Sequence, residues 1–502
     1  MQRPPIAAVA LGLLAALASL IPIGYLLLRL FEGFEAALAE LARARTLELL
    51  LNTIGLTVSV SLTALAIGAV QAWLTVRTNL PLAPVFAVLA TLPLAIPSYV
   101  LALGYLSVFP WFSGFWAAWF TLSLATSPYV FLALSAALIS SNFAAEEVAR
   151  SLGKNRWQVI QSVTWPQVRP AAFASVLLVA LYTLSEFGAI ALLRFDTFTR
   201  AIYNAYRGSF DRTSAAALAL VLVALTLVVI YFERRYRGDR WQAPTASGRK
   251  RRIDLGRARI LAAVGLGTIG LFGAGVPLVS LIGWSVNQTG FDLLRLGELV
   301  ASSLAVAIAA GVVIGIFALA ISVWNLRYSS RISGVVDLTA WAAHALPAVV
   351  VALALVYFGA NLVPGIYQSI WLLLLGYLIL FLPNALGLVG TPIALVPRSI
   401  EEVARSQGLS KNAALTKVVL PIALPGILAG VALASLTVLK ELPATLLLRP
   451  NELDTLATEL WQATEVLAYS QAAPYALALI IIAGVPALAL NAQARKLISE
   501  VS

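Results

Sequence analysis

The stretch EEVARSLGKNRWQVIQSVTWP, from Glu146 to Pro166, has a close counterpart in EEVARSQGLSKNAALTKVVLP, from Glu401 to Pro421. Both stretches are polar and charged, and both lie between long apolar runs. The same offset of 255 residues relates SEFGAIALLRFDTF, which begins at Ser185, to KELPATLLLRPNEL, which begins at Lys440. The chain therefore contains an internal duplication that keeps a hydrophilic segment in each copy.

The composition indicates an integral membrane protein. Of the 502 residues, 60% are hydrophobic and only 11% are charged, whereas about a quarter of a soluble domain is charged. The chain has no Cys and one His, which excludes a metal site built on thiolates and argues against one built on several histidines.

Apolar runs of about 20 residues between polar breaks predict twelve spans. The expected fold is an all-α membrane protein with two parallel-repeat halves of six helices each. We expect a first half over 1–232, a basic cytoplasmic linker over 233–259 and a second half over 260–502. The expected spans are 6–30, 49–76, 83–109, 117–140, 171–193, 213–232, 260–285, 299–325, 335–359, 369–390, 425–448 and 472–492.

Charge distribution predicts the orientation. Most of the 34 Lys and Arg residues fall on the side that holds both termini, the linker and both quoted stretches, so this side is expected to be cytoplasmic. The basic linker is interpreted as a tether facing lipid headgroups, and no nucleic-acid partner is expected.

The first quoted stretch predicts a helix, a turn and a second helical segment. Gly153 can adopt positive φ and is expected to end the first helix, and Pro166 is expected to break the chain before the next span. Small residues are expected on the exposed ridge. The apolar stripe of the first helix, at positions i, i+3, i+4 and i+7, is Ala145, Val148, Ala149 and Leu152.

The duplicated stretch resembles the cytoplasmic loop signature of ABC importer permeases. That signature reads Glu-Ala-Ala, three residues, Gly, nine residues, then Ile-x-Leu-Pro. Val occupies the second position in both copies, and Trp165 replaces Leu in the first. The matching residues are Glu147, Ala149, Gly153 and Pro166 in the loop 141–170, and Glu402, Ala404, Gly408 and Pro421 in the loop 391–424.

The resemblance implies a type I importer permease in a bacterial inner membrane. Each loop, here called the first (141–170) and second (391–424) coupling loop, would dock on one of two ATP-binding cassette subunits. An extracytoplasmic binding protein would deliver the substrate. The sequence has no G-x-x-x-x-G-K-[ST] motif, so we expect no ATPase site and no cofactor in this chain, with ATP used by the partner subunits.

Charged residues well inside the expected spans are costly and usually functional. They are Glu186, Lys440 and Glu441, and the two glutamates are equivalent in the repeat. We expect them to line the substrate path, where the two carboxylates would ligate a metal ion transiently. A structural pair between Glu186 and Lys440 is the alternative.

The segments around these glutamates resemble those of fused ferric-iron permeases. Fe(III) prefers oxygen ligands, which fits a chain with carboxylates and no thiols. The fused thiamine permeases share this architecture, so thiamine or another small solute stays an alternative substrate. The competing class is a secondary transporter or channel, which would need no ATPase.

Overall fold

The computed structural model describes residues 4–208, 211–237, 252–288, 291–343 and 346–501. Over these ranges the secondary structure is helical, which confirms the all-α expectation, and an isolated bridge joins Thr78 to Ile253. The expected linker is described only at its two ends.

The α-helices are α1 (Ile6–Glu32), α2 (Phe34–Leu41), α3 (Ala44–Arg77), α4 (Ala83–Thr91), α5 (Ser98–Leu106), α6 (Gly114–Ser140), α7 (Phe143–Ser151), α8 (Arg156–Val159), α9 (Trp165–Ser185), α10 (Gly188–Leu192), α11 (Phe198–Arg207), α12 (Arg212–Arg237), α13 (Ala258–Gly270), α14 (Val276–Val286), α15 (Leu293–Arg327), α16 (Arg331–Ala342), α17 (Ala348–Tyr357), α18 (Ile370–Leu395), α19 (Arg398–Ser406), α20 (Lys411–Ala414), α21 (Leu420–Leu439), α22 (Pro443–Leu448), α23 (Leu456–Glu465) and α24 (Tyr469–Val501).

Within these ranges, nine helices are long and apolar enough to cross a membrane. The pair formed by 83–95 and 98–106 makes a tenth candidate, although it bends by 96°. Two shorter apolar helices cover Ala348–Leu362 and Tyr469–Gly484. A multi-pass membrane protein is therefore supported, and the count of twelve spans stays a prediction.

The chain forms two compact units that cut across the expected halves. One comprises Arg43–Ala201, Ala224–Thr289 and Ala463–Ser502, and we call it the first-loop unit because it holds the first coupling loop. The second-loop unit comprises Met1–Ala42, Ile202–Val223 and Gly290–Gln462. The helices that open each half thus join the unit built on the other half's coupling loop. The half boundaries describe the sequence duplication and stay a prediction.

The core of the first-loop unit is built by α3, α6 and α9. Val60, Leu122 and Val179 are fully buried there. A Cβ added at Gly68 would lie 2.6 Å from the Val130 side chain, so α3 and α6 approach closely at a residue without a side chain.

The equivalent helices α15, α18 and α21 build the core of the second-loop unit. A Cβ at Gly315 would lie 2.5 Å from the Val431 side chain, and a Cβ at Gly430 would lie 3.1 Å from the Leu388 backbone. Small residues therefore set the helix spacing here too, as is typical of helix packing in membranes.

Four of the expected spans are interrupted in the described part of the chain, one of them the span expected at 335–359, where α16 ends at Ala342 and α17 begins at Ala348. The span expected at 83–109 bends at Pro97, which precedes α5. The span expected at 171–193 ends as a helix at Ser185, and a short helix restarts at Gly188. Its repeat equivalent ends at Leu439 and restarts at Pro443. Glu186 and Glu441 lie in these last two breaks.

Candidate functional site

Each coupling loop begins with a helix that a glycine ends. Gly153 has a φ of 81° and Gly408 a φ of 93°, a conformation that costs most other residues roughly 1–2 kcal/mol. The Gly153 amide donates to the carbonyl of Arg150, and the Lys154 amide donates to the carbonyl of Ala149. The second loop forms the same two bonds, which satisfy helix-end carbonyls. The expected turn geometry is confirmed in both loops.

The expected break at Pro166 is wrong. After α8 the chain makes a five-residue π-turn, Ile160–Thr164, and continues directly into α9, where Pro166 takes the second position. The second loop repeats this with a π-turn before α21 and Pro421 at its second position. Because the wide turn shifts backbone bonds from i−4 to i−5, it accommodates a proline that has no N–H to donate.

The expected exposure of small residues holds for Ser151 and Ser406 but not for two of the alanines. Ala149 and Ala404 are each only 6% exposed and pack against the chain itself. The outward positions are taken by the acidic residues Glu147 and Glu402. A partner would therefore meet the acidic and apolar side chains of α7 and α19 rather than the alanines.

A buried ion pair that the sequence reasoning missed fixes the first coupling loop to α3. Arg77 Nη2 lies 2.8 Å from Glu146 Oε1, and the two side chains are 4% and 8% exposed. Arg77 also donates to the hydroxyl of Ser141, and Thr164 donates to the Glu146 carboxylate. The guanidinium lies 4.2 Å from the centre of the Phe143 ring. Arg77 at the end of α3 thus holds the first helical segment of the loop, and Glu146 joins that segment to the second through Thr164.

The second coupling loop has the equivalent pair. Arg327 Nη1 lies 3.5 Å from Glu401 Oε2, and both side chains are buried. Here the arginine also donates to the carbonyls of Ile393 and Val396 at 2.8 and 2.9 Å. The arginine recurs at an offset of 250 and the glutamate at an offset of 255, and this recurrence is the sequence signal that predicts both pairs.

The N-terminal ends of α3 and α15 also form similar ion pairs. Arg45 pairs with Asp196, and Arg295 Nη2 lies 2.6 Å from Asp454. Both aspartates follow a short helix that restarts after a broken span. Hydroxyls of α3 and α15 accept the amides that begin the next helical segments, from Phe198 to Thr53 and from Leu456 to Ser303. The helices α3 and α15 therefore each contact a coupling loop at one end and the segment after a broken span at the other end.

Glu186 caps the short helix that follows the first broken span. Its Oε1 accepts the amide of Ala189 at 3.0 Å, and its Oε2 accepts the hydroxyl of Ser98 at 2.9 Å. Its backbone carbonyl accepts the hydroxyl of Thr199. The side chain is 8% exposed, so the buried carboxylate satisfies backbone left free by the break.

Glu441 has the same place in the second-loop unit. Its two carboxylate oxygens accept the amides of Ala444 and Thr445, each at 2.9 Å. The hydroxyl of Thr445 donates to the same carboxylate and bonds to Tyr377. Lys440 is the capping residue directly after Leu439, the last residue of α21. Whether these three residues line a substrate path stays a prediction, and the described residues contain no group of three or more His, Cys, Asp or Glu that could hold a metal ion.

Comparison with known proteins gives the family. The model described as binding-protein-dependent transport system inner membrane component matches twice, over residues 64–237 and 307–501. The chain is 33% identical, over 99% of its length and all of the relative's, to the Fe(3+)-transport system permease protein FbpB 2 of Haemophilus influenzae.

More distant relatives match over shorter segments. The ferric transport system permease protein FbpB of Actinobacillus pleuropneumoniae is 26% identical over 44% of this chain and 35% of its own length. The sulfate transport system permease protein CysT of Escherichia coli is 29% identical over 33% of this chain and 66% of its own length. With the double match and the full-length relative, this chain belongs to the family of inner-membrane permease components of binding-protein-dependent transport systems, with two such segments fused in one polypeptide.

Proposed function

We propose that this chain is the permease subunit of an ATP-driven importer for ferric iron, which an extracytoplasmic binding protein delivers. The observation that carries the proposal is the similarity over the full length to a permease named for Fe(3+) transport. The sulfate permeases match only parts of the chain at lower identity, so they support the permease role without favouring sulfate.

The energy is proposed to come from two separate ATP-binding cassette subunits, one on each coupling loop. Two loops with the same glycine turn, the same π-turn and the same buried arginine–glutamate pair support two docking sites. The excess of Lys and Arg in the loops supports a position of both sites and both termini on the cytoplasmic side of the bacterial inner membrane. Lipid is the remaining partner.

Uptake into vesicles tests this function. The chain is co-expressed with an ATP-binding cassette subunit and an extracytoplasmic binding protein, and uptake of labelled ferric iron is compared with that of thiamine and sulfate. Uptake of iron that requires ATP and the binding protein is expected. Uptake of thiamine alone would show that thiamine, not ferric iron, is the substrate. Uptake without any ATPase would indicate a secondary transporter or channel.

Glu186 and Glu441 are proposed to line the iron path in addition to capping their helices. Both are buried carboxylates in breaks of membrane-embedded helices, and irregular backbone at membrane depth is tolerated where it is buried in protein or lines a cavity. A carboxylate there attracts a cation, and two can supply part of a transient oxygen shell for Fe(III). Lys440 is proposed to offset part of the negative charge in the empty path.

We expect Glu186→Gln to lower iron uptake by at least tenfold, because the change removes the charge but keeps an oxygen that can accept the Ala189 amide. Glu186→Gln combined with Glu441→Gln is expected to leave almost no uptake. Labelled iron is measured in vesicles with matched amounts of each protein, and bound ATPase is measured in parallel.

The matched comparison separates charge from capping. Ser98→Ala removes one hydrogen bond to Glu186 and leaves the charge, so it should retain most of the uptake. If Glu186→Gln transports like the wild type while Glu186→Ala does not, the carboxylate serves only as a cap, and its place in the iron path is refuted.

The two docking surfaces are proposed to differ in apolar area. Leu152 and Trp157 of the first loop are 76% and 65% exposed, whereas the equivalent positions in the second loop are the polar residues Gln407 and Asn412. Trp157→Ala is expected to weaken ATPase binding by about tenfold or more, as for loss of a large buried side chain. Asn412→Ala should have a smaller effect in the same co-purification assay, and equal effects would contradict the asymmetry.

A further inference from the structure

The far end of the interhalf linker lies against the end of α3, next to the first coupling loop. Ile253 donates its amide to the carbonyl of Arg77 at 2.8 Å and accepts the amide of Asn79 at 3.0 Å. This pairing forms the isolated bridge between Thr78 and Ile253. The linker backbone thus forms hydrogen bonds with the main chain of Arg77, whose side chain pairs with Glu146, and of Asn79.

Side chains complete this contact. Asn79 Nδ2 donates to Asp254 Oδ1 at 2.7 Å, and Asn79 Oδ1 accepts the amide of Leu255 at 3.0 Å. Asp254 Oδ1 also accepts the amide of Gly256. The Gly256 amide and the Asn79 side chain hold the pKa of Asp254 below its usual range, so the carboxylate is ionised at neutral pH. We call residues 253–256, held by Asn79, the linker clamp.

The clamp also borders a cavity of the coupling loop. Ile253 lines this cavity together with Arg77, Glu146, Arg150 and Arg156. The cavity thus brings the linker, the end of α3 and both helical segments of the loop together. A displaced linker would remove one wall of the cavity.

In the second coupling loop, a side chain rather than a linker segment donates to the equivalent backbone carbonyl. Its equivalent carbonyl, that of Arg327, accepts Nζ of Lys411 at 2.8 Å, and this ammonium lies 3.9 Å from the centre of the Tyr328 ring. Lys411 is the repeat equivalent of Arg156, which is exposed in the first loop. The linker backbone therefore takes the place of a basic side chain and leaves Arg156 at the surface.

We propose that the linker clamp is a positioning element of the first coupling loop, so that Asn79 and Asp254 set how firmly this loop transmits ATP hydrolysis to transport. The proposal deepens, and in its transport part rests on, the proposed function. It assigns the linker a role beyond tethering the two halves. It also makes the two ATPase sites unequal, since only the first loop has a linker segment as its support among the described residues.

A swap of the hydrogen-bonding pair tests the clamp. Asn79→Asp places two carboxylates side by side and should release Ile253–Gly256. Asn79→Asp combined with Asp254→Asn restores one donor opposite one acceptor and keeps an acceptor for both the Leu255 and Gly256 amides. Arg257→Ala, in the same segment but outside the clamp's hydrogen bonds, is the matched control.

The first measurement is amide hydrogen exchange of the full-length chain. We expect roughly fivefold or faster exchange over residues 143–159 in Asn79→Asp, as for the loss of a hydrogen-bonded contact, and rates near those of the wild type in the swapped pair and the control. The second loop, residues 398–414, should not change. Unchanged exchange in Asn79→Asp, or no recovery in the swapped pair, overturns the proposal.

The second measurement is the number of ATP molecules hydrolysed per iron ion transported by the assembled importer. Asn79→Asp should raise this ratio severalfold, and the swapped pair should restore it. A normal ratio despite a released clamp overturns the positioning role. If the wild-type importer carries no iron, the proposed substrate is wrong, and the exchange measurement still decides whether the clamp holds the loop.

Discussion

Replacing Gly153 or Gly408 with proline is expected to abolish transport while the protein still inserts into the membrane. Both glycines have positive φ, whereas proline is fixed near −65° and has no amide hydrogen. Gly153→Pro therefore removes both the turn and the bond to the Arg150 carbonyl. The second helical segment would leave α7 in the wrong direction, and the loop would no longer match its ATPase.

A graded series separates this effect from general instability. Gly153→Ala costs roughly 1–2 kcal/mol in the left-handed conformation and should weaken ATPase binding without abolishing it. Gly114→Ala carries the same backbone strain, with a φ of 79° and open space around its Cβ position, but lies outside both coupling loops. ATPase co-purification and uptake are measured for each variant. Normal assembly in both proline variants would refute the docking role of the loops.

The coupling loops could be predicted well from the sequence because their signals are local. A glycine at the end of an apolar stripe predicts a turn from a few neighbouring residues, and the second copy repeats it. The π-turns before Pro166 and Pro421 could not be predicted in this way. Proline has more than one outcome: a broken helix, or a helix whose preceding turn widens. The surrounding packing decides between these outcomes.

The broken spans show a different limit. The apolar runs through Glu186 and Glu441 are continuous, so composition predicts one long helix in each case. In the structure each glutamate instead caps a restarted helix with its own carboxylate. The location of the two charged residues was predictable, but the break depends on which amides they satisfy. Apolar composition does not contain that information.

The arginines at the ends of α3 and α15 were missed because their partners are far along the chain. Arg77 and Glu146 are separated by 69 residues, and each by itself looks like an ordinary charge at a membrane boundary. Only the duplication makes them visible, since Arg327 and Glu401 recur with nearly the same separation. A comparison of charged residues between the two halves would have found both pairs.

The largest stability effect is expected for Glu146→Ala. The change leaves the Arg77 guanidinium buried without its carboxylate, and breaking a buried ion pair from one side typically costs 3–5 kcal/mol. It also removes the acceptor of the Thr164 hydroxyl. We expect the first coupling loop to detach from α3, with loss of ATPase binding and a lower unfolding temperature in detergent.

Glu401→Ala should be milder, because Arg327 keeps the carbonyls of Ile393 and Val396 as partners. Its ion pair is also longer, at 3.5 Å against 2.8 Å. The difference between the two variants measures how much of each anchor comes from the carboxylate. Equal losses in unfolding temperature would mean that the carbonyl contacts of Arg327 contribute little.

A double-mutant cycle decides whether Arg77 and Glu146 stabilise the loop through their charges or only through the packing of their side chains. Arg77→Met combined with Glu146→Gln removes both charges and keeps similar side-chain volumes, so no unpaired charge stays buried. If the charges act as a pair, this double variant loses less stability than Arg77→Met and Glu146→Gln do in sum, and the loop regains part of its ATPase binding. Additive losses would show that the two residues stabilise the loop independently. The link from α3 to the coupling helix would then have to come from the contact of Arg77 with Phe143 and from the apolar packing around it.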